Sequence, residues 1–190
     1  MDKQSQLDQV RADILQDNIC ADLALQATQL VMGDGNINAD IVFIGEAPGK
    51  KEDERGIPFI GAAGTFLGQM LEAAGMVRSD VYITNIVKYR PPNNRDPSPT
   101  EKKAFWPYLL KELGIINPKV IITLGRHSME YFLPDAKIGD VHGQPHLVNL
   151  DGFTGTIIPL YHPAAALYNG SLRQTLIDDF MTVPDIIAGL

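Results

Sequence analysis

The sequence predicts a three-layer α/β/α sandwich around a central four-stranded, mostly parallel sheet. Four short apolar runs rich in β-branched residues have the length and composition of buried strands. Stretches with apolar residues at helical spacing separate these runs, and each run leads into a loop. Because strands that alternate with helices form parallel sheets covered on both faces, these observations define the fold class. The predicted strands are 41–44, 81–87, 120–124 and 156–160.

Helical stretches precede, separate and follow these strands. An amphipathic segment covers 4–31 with a break near Asn18, and residues 61–75 carry apolar side chains at helical spacing. Ser98-Pro-Thr-Glu101 has the spacing of a capping box, so the next helix should begin there and run to about Leu113. A short helix is predicted at 127–133, a helical stretch begins at 161–168, and a last helix covers 171–187.

Three connections have unusual composition. Residues 46–59 are highly charged and contain several prolines and glycines, which predicts a long ordered loop at the carboxyl end of the first strand. Residues 88–99 contain too many prolines for regular structure, and 135–155 predict a hairpin or an irregular excursion. Pro159 inside the fourth strand predicts an edge position or the very end of that strand.

Composition sets broad limits. With 190 residues, 45% hydrophobic and 21% charged, the chain is expected to form a single domain over residues 1–190. Cys20 is the one cysteine, which excludes an intramolecular disulfide and a cysteine-ligated metal centre within one chain. The amino-terminal residues are polar, and no apolar run approaches the roughly 18 residues that span a membrane. We therefore expect a cytoplasmic protein with no membrane partner.

The charge balance bears on nucleic acid as a partner. A net charge of −7 argues weakly against it, because bulk charge governs long-range attraction to phosphates. The basic residues are nevertheless concentrated in two loops, which leaves room for a local positive rim. These residues are Lys50, Lys51 and Arg55 in one loop and Lys88, Arg90 and Arg95 in the other.

Polar residues and turns follow the predicted strands. The first strand leads into Gly45-Glu-Ala-Pro-Gly49 and then Glu52, and the second contains Asn85. The third strand is followed by Gly125, and the fourth by His162. Because the carboxyl ends of parallel strands share one edge of a sheet, a carboxylate, an amide and an imidazole are expected to meet in one cleft there.

Four segments together resemble a known family. Gly45-Glu-Ala-Pro-Gly-x-x-Glu-Asp53, Gly56-x-Pro-Phe59, Thr84-Asn-Ile-Val-Lys88 and His162-Pro-Ala-Ala165 are similar to motifs of the uracil-DNA glycosylase superfamily, most closely its thermophile-type branch, family 4. The similarity extends from about Gly33 to the last helix. It implies a monomeric, monofunctional DNA repair hydrolase that cleaves the N-glycosidic bond of deoxyuridine, releases uracil and leaves an abasic site in DNA.

The resemblance also implies roles for site residues. A flipped-out uracil is expected to stack on Phe59, in a pocket that Gly45, Ala47 and Pro48 help to form. The Asn85 amide is expected to accept from uracil N3–H and donate to O4. His162 is expected to donate a hydrogen bond to the negative charge that develops on O2.

The attacking water needs a carboxylate, and two are available. Glu46 and Glu52 are both candidates, and Ala47 stands where other branches of the superfamily have an aspartate. We favour Glu46 over Glu52.

Leu167 is the expected wedge into the duplex. The residues expected to contact DNA are Lys50, Lys51, Arg90, Arg95, Ala164 and Leu167.

The chain departs from family 4 at the residues that normally hold an iron–sulfur cluster. The four cysteine positions carry Asn18, Ala21, Tyr89 and Phe105, and Cys20 lies one place off register. We therefore expect no cluster, with Tyr89 and Phe105 filling the volume as an aromatic plug. No metal is expected elsewhere either, since Asp140, His142 and His146 lie in an irregular segment without fixed ligand geometry, and His127 has no matched role.

Other functions stay open at this point. A glycosylase for other deaminated bases is one alternative, because superfamily members differ at the edge of the pocket. A non-catalytic nucleic-acid or nucleotide-binding protein is another, supported by the missing cysteines and the net negative charge. A phosphate-binding loop of the nucleotide hydrolases is excluded, because no Gly-Lys-Ser/Thr ending follows the glycines.

Overall fold

The computed structural model describes residues 1–190 and contains one sheet of six strands surrounded by α-helices. None of the helices is both long and apolar enough to cross a membrane. The strands are β1 (Asp34–Gly35), β2 (Ile41–Gly45), β3 (Tyr82–Asn85), β4 (Val120–Leu124), β5 (His146–Leu150) and β6 (Phe153–Leu160). The helices are α1 (Lys3–Gln16), α2 (Ala21–Ala24), α3 (Lys50–Arg55), α4 (Ala62–Ala73), α5 (Pro99–Ile116), α6 (Arg126–Met129), α7 (Ile138–Val141), α8 (Pro163–Tyr168) and α9 (Gly170–Ala188).

The sheet has the strand order β1-β3-β2-β4-β6-β5. The four predicted strands correspond to β3, β2, β4 and β6, which pair in parallel at its centre. Two further strands, β1 and β5, extend it at the two edges by antiparallel pairing, so the sheet has six strands rather than four. The sequence did not separate these two because β1 has only two residues and β5 lies in the predicted hairpin or excursion. The fold class is confirmed, with four parallel strands at the centre.

Alternating side chains of the strands contribute to two hydrophobic cores. Val42, Ile44 and Tyr82 pack with α1 and α5 on one face of the sheet. Phe43 and Ile83 pack with α4 and α9 on the other face. Because successive strand residues point to opposite faces, both faces of the central strands are covered and their sequences are almost continuously apolar.

The segment predicted as a long loop contains a helix. Residues 46–59 include α3, a six-residue helix that begins after Gly49 and ends at Gly56, whose φ of 73° is left-handed. Lys, Glu and Arg are good helix formers, and glycine at the end satisfies the left-handed geometry that stops a helix. The prediction of an unbroken loop was therefore wrong, although the segment is ordered at the carboxyl edge as expected.

Two other boundaries follow from local chemistry. The predicted break near Asn18 is confirmed, since Asn18 and Cys20 have φ of 50° and 53° and separate α1 from α2. The capping box at Ser98 and Glu101 is present, and α5 continues past Leu113 to Ile116. Pro159 lies in β6 beyond the last residue that pairs with β5, so the missing N–H leaves no ladder bond unmade on that side.

Candidate active site

A cleft of about 540 Å³ lies at the carboxyl edge of the parallel strands. Of the predicted site residues, only Gly45 and Arg90 do not line it. Gly45 lies directly beneath it, and Arg90 lies outside, where its Nε donates to Asn94 Oδ1 at 2.7 Å. The predicted residues that line the cleft are Glu46, Ala47, Pro48, Lys50, Lys51, Glu52, Phe59, Asn85, Arg95, His162, Ala164 and Leu167.

Sheet register brings the floor of the cleft together. Gly45 and Asn85 are register partners at the ends of β2 and β3, and His162 lies two residues beyond the end of β6. A β-carbon at Gly45 would lie 2.5 Å from Asn85 Oδ1 and would also overlap the Phe59 ring. Glycine is therefore the residue that lets the amide and the ring approach the end of β2.

Phe59 forms one wall of the cleft in a strained backbone conformation. Its φ is 53°, a left-handed value that a bulky residue adopts at a cost of about 1–3 kcal/mol. The ring is buried, and its centroid lies 5.7 Å from that of His162 with 32° between the planes. In α4, a β-carbon at Gly64 would overlap the Phe59 backbone, so a glycine there allows the helix to pack closely against that backbone.

Asn85 carries an unusual buried atom. Its residue is only 3% exposed, and its Oδ1 has no hydrogen-bond partner. A buried acceptor without a partner costs about 1–3 kcal/mol, so folded proteins leave few of them. Its position in the cleft identifies it as an acceptor that is available to a ligand carrying an N–H or O–H group.

His162 presents a donor to the same cleft. Its Nδ1 accepts the Ala164 backbone N–H at 3.1 Å, at the start of α8. A neutral ring that accepts at Nδ1 carries its proton on Nε2. Burial lowers the pKa of His162 to about 4, with a further contribution from the nearby His127, so the ring is neutral at physiological pH.

The two candidate carboxylates are used differently. Glu52 is buried, and its Oε1 accepts the backbone N–H groups of Ile60 at 2.9 Å and Gly61 at 2.6 Å. These bonds fasten α3 to the segment that carries Phe59. Glu46 has instead one long ion-pair contact, 3.8 Å from His127 Nε2, and its side chain is 24% exposed. Burial raises the pKa of Glu46 above its usual value.

The predicted basic residues also differ in their availability. Lys50 and Lys51 are exposed beside the cleft, and Lys50 makes only a 3.9 Å contact with Glu54. Arg95 donates both terminal nitrogens to the Glu101 carboxylate, at 2.9 and 2.6 Å, so its guanidinium already has a partner. Lys50 and Lys51 are therefore the predicted cations most accessible to a phosphate.

An exposed apolar pair lies at the mouth of the cleft. Leu167 and Tyr168, at the end of α8, are 37% and 91% exposed, and both line the cleft. The sequence analysis singled out Leu167 but missed Tyr168. An aromatic residue beside the expected wedge, just before the next helix, was the available signal.

A charged cluster beside Glu46 was also missed. It consists of Asp96, Lys102, Arg126 and His127, which we call the His127 cluster. One ligand atom each of Glu46, Asp96 and His127 lies within 4.8 Å of the others, a set that suits a divalent cation. Lys102 and Arg126 already place positive charge there, 3.1 Å from His127 Nδ1 and 3.6 Å from Asp96 Oδ2. We therefore interpret it as an ion-pair network, and the absence of a metal stays a prediction.

The positions that normally hold the iron–sulfur cluster do not fit one. Tyr89 and Phe105 are buried and pack edge to face, with centroids 5.9 Å apart and planes at 67°. Cys20 is half-buried, and burial together with Glu101 and Asp22 raises its pKa to about 11. A cluster needs several thiolates, whereas these positions offer two aromatic rings and one nearby protonated thiol.

Comparison with known proteins identifies the class of protein to which this fold and cleft belong. The profile of the Uracil DNA glycosylase superfamily matches residues 32–181. The chain belongs to this superfamily, which confirms the resemblance inferred from the four motifs.

Within the superfamily, the chain is most usefully compared with the type-4 proteins. It is 47% identical over 164 residues to the type-4 uracil-DNA glycosylase of Saccharolobus solfataricus, covering 83% of this chain and 76% of that protein. It is 43% identical over 185 residues to the protein of the same name from Archaeoglobus fulgidus, covering 95% and 92%. A third, from Thermotoga maritima, is 43% identical over 162 residues, covering 83% and 82%. The similarity to the thermophile-type branch is thereby confirmed.

Proposed function

We propose that the protein is a DNA repair glycosylase that hydrolyses the N-glycosidic bond of deoxyuridine in DNA, releasing uracil and leaving an abasic site. The observation that carries this proposal is the unpaired Asn85 Oδ1 in a cleft walled by Phe59 and His162. A planar ring with an N–H group beside two carbonyl oxygens would use all three residues. The type-4 names of the relatives support the same substrate.

Base recognition would rest on Asn85. The amide oxygen accepts from uracil N3–H and the amide nitrogen donates to O4. Cytosine has an acceptor at N3 and an amino group at C4, so it would leave Asn85 and itself unpaired in a buried site. Such mismatches at polar groups give strong discrimination. The flipped base stacks on Phe59, and Ala47 and Pro48 close the pocket.

Bond cleavage would rest on His162. As the glycosidic bond breaks, negative charge builds up on the uracil ring and a positive charge on the sugar. The neutral His162 donates from Nε2 to O2, where this charge accumulates. The lowered pKa that burial gives His162 keeps this donor neutral.

Glu46 is the proposed acceptor for the attacking water. It lines the cleft, and no group donates a hydrogen bond to its carboxylate, whereas Glu52 already accepts from two backbone N–H groups. The positive sugar is also stabilised by a nearby carboxylate. Glu52 then has a positioning role, because it fixes the segment that carries Phe59.

The expected DNA contacts surround the mouth of the cleft. Lys50 and Lys51 provide phosphate contacts, while Ala164 and Leu167 lie on the helix start that enters the duplex where the base has left. Arg90 and Arg95 would contact phosphates only after exchanging their partners Asn94 and Glu101.

We further propose that the protein needs no iron–sulfur cluster and no metal. The buried Tyr89–Phe105 pair occupies the region instead. We expect the protein to act as a monomer in the cytoplasm, because all the proposed site residues come from one chain and the substrate is DNA.

The central test is a cleavage assay. Purified protein is incubated with single- and double-stranded oligonucleotides that contain uracil, hypoxanthine, xanthine or only the normal bases, and strand breaks are measured after alkali. We expect cleavage at uracil alone. Cleavage at a deaminated purine instead would redirect the specificity, and no cleavage of any substrate under conditions where a known glycosylase succeeds would contradict the catalytic function.

A matched pair of variants tests which carboxylate serves the water. Glu46→Gln should lower the single-turnover rate by at least about tenfold, because an amide is a poor proton acceptor. Glu52→Gln retains a side-chain oxygen that can accept from the Ile60 and Gly61 N–H groups and should lower the rate much less. The reverse order would assign the water to Glu52.

Metal analysis tests the cofactor proposal. Protein expressed with iron supplementation should be colourless and contain no stoichiometric iron or zinc by mass spectrometry. Visible absorption from a bound cluster would contradict it.

A further inference from the structure

We infer that His127 is a positioning residue for Glu46: fixed at one ring nitrogen by Lys102, it turns the other toward the Glu46 and Asp96 carboxylates. This inference rests on the proposed function for the role of Glu46 in the reaction. The contact between the side chains is a property of the folded protein and is tested separately below.

Lys102 fixes the histidine ring from the side away from the cleft. Lys102 is 4% exposed, and its Nζ lies 3.1 Å from His127 Nδ1 and forms an ion pair with Glu130. An ammonium group is only a donor, so Nδ1 must accept from it. A ring that accepts at Nδ1 carries its proton on Nε2. The lysine thus orients the ring with Nε2–H toward the carboxylates, and Arg126 Nε–H, 3.4 Å from that protonated nitrogen, makes only a long contact with it.

The opposite edge of the ring faces the two carboxylates. His127 Nε2 lies 3.2 Å from Asp96 Oδ2 and 3.8 Å from Glu46 Oε2. The first distance is a hydrogen bond, and the second is an electrostatic contact that shortens with a small movement of either side chain. His127 is 17% exposed, whereas Asp96 is 66% exposed, so water weakens the Asp96 contact more than the Glu46 contact.

The charged groups that shift the Glu46 pKa belong to the His127 cluster, while Lys50, Lys51, Glu52 and Arg95 line the same cleft. Arg126 and His127 come from α6, Lys102 from α5, and Asp96 from the segment before α5. Burial has the largest effect on the Glu46 pKa and raises it, as Asp96 also does, while the contacts with His127, Lys102 and Arg126 lower it. His162 also lies on the cleft, but its lowered pKa of about 4 leaves it uncharged in the range of interest.

The consequence is that His127 keeps a partly buried base ionised. Burial alone favours the protonated form of Glu46, which cannot accept a proton from water. The His127 donor near Glu46 Oε2 offsets this effect. His127 would therefore influence the reaction through Glu46, without touching DNA.

The direct test measures Glu46 itself in the free protein. With glutamate labelled by ¹³C at the side-chain carboxyl, its resonance is assigned by its loss in Glu46→Gln and titrated by NMR. In His127→Ala the pKa of Glu46 should rise by about 0.5–1 unit relative to wild type. In His127→Gln, whose amide keeps a donor, the rise should be smaller. His142→Ala is the matched control, because that histidine pairs with Asp179 away from the cleft.

The titration needs no activity, so it separates this inference from the proposed function. An unchanged Glu46 pKa in both His127 variants, with native circular dichroism, would overturn the inference even if the enzyme cleaves uracil. If wild type cleaves no substrate, the proposed function fails while the contact still stands or falls on the titration. Where only His127→Gln folds, that variant decides.

Activity provides the second arm. The acidic limb of the single-turnover pH profile should move up by the same 0.5–1 unit in His127→Ala, giving about a three- to tenfold loss on that limb. On the plateau above that limb, where the rate no longer depends on pH, the two proteins should agree within about twofold. An equal loss at every pH would indicate a general structural effect and contradict positioning through Glu46.

Discussion

Two polar regions meet at strand β3, and they differ in how completely their polar atoms are hydrogen-bonded. Beneath the sheet, Lys88 and Glu112 are fully buried, with Nζ 2.5 Å from Oε2. The same carboxylate accepts from Tyr82 Oη at 2.7 Å and from the Gly33 N–H at 3.2 Å, and Lys88 also donates to Thr84 Oγ1 at 2.6 Å. In the cleft, by contrast, Asn85 Oδ1 has no partner.

Strand geometry explains why adjacent residues of β3 belong to different regions. Tyr82 and Thr84 point toward α5 and Glu112, while Ile83 points toward the opposite core, the side on which Phe59 lies. Asn85 has the same parity as Ile83 and therefore points to the cleft side. In these two regions, the buried charges beneath the sheet are fully hydrogen-bonded (the saturated region), whereas the Asn85 acceptor in the cleft is left open (the open region). This difference predicts that variants in the two regions affect different measurements.

The largest expected effect is on stability in the saturated region. Lys88→Met should lower the free energy of unfolding by about 3–5 kcal/mol, because it leaves the Glu112 charge buried without its partner. Urea denaturation measures the change, with the exposed Lys51→Met as the control. The double variant Lys88→Met/Glu112→Leu should recover much of the loss, since it removes both charges. A single variant as stable as wild type would show that this pair does not stabilise the fold.

The next effect is on catalysis in the open region. His162→Ala should lower the single-turnover rate of uracil release by about 100- to 1,000-fold, the usual cost of removing a donor to developing negative charge. Chemical denaturation should show little change in stability at neutral pH. If the rate is unaffected, the donor to uracil lies elsewhere.

Asn85→Ala should separate the effect on catalysis from the effect on stability most clearly. We expect at least a tenfold loss of uracil cleavage, because the base loses its edge contacts. Stability should stay the same or rise slightly, since the variant removes a buried acceptor that has no partner in the free protein. A strong loss of stability would mean that Asn85 belongs to the saturated region instead.

The buried histidine predicts a pH effect on stability. His162 has a pKa of about 4 when folded, against an ordinary 6.5, so the unfolded chain binds the proton more readily between these values. Its contribution is complete above about pH 6.5 and is lost as the pH falls toward 4. Wild type should therefore lose more unfolding free energy between pH 8 and pH 5 than His162→Gln does. Equal losses in urea titrations at the two pH values would contradict the lowered pKa.

The smallest expected effect concerns the mouth of the cleft. Leu167→Ala should lower cleavage of duplex DNA severalfold and affect single strands less, because a wedge assists only where a base must leave a stack. Single-turnover rates on matched single- and double-stranded oligonucleotides measure the ratio. An equal reduction on both substrates would assign Leu167 to general binding instead of base flipping.

The sequence by itself determined the central layer of this protein. Apolar runs and helical spacing depend on local composition, so the four parallel strands and the capped start of α5 were predictable. The edge strand β1 was not resolved because it has two residues and pairs with β3, which is distant in the chain. The edge strand β5 was not separated from the predicted hairpin or excursion, although it pairs with β6, which follows it directly. Helix α3 was hidden by the glycines and prolines around it.

The candidate residues were also readable from the sequence, since motif spacing places them at strand ends. Only the tertiary structure showed which polar atoms are occupied. Glu52 and Glu46 are the same residue type, but Glu52 accepts two backbone N–H groups, whereas Glu46 contacts the His127 cluster. The reason is physical: a side chain's chemistry comes from its own atoms, whereas its pKa and free hydrogen-bonding capacity depend on the groups that folding places around it.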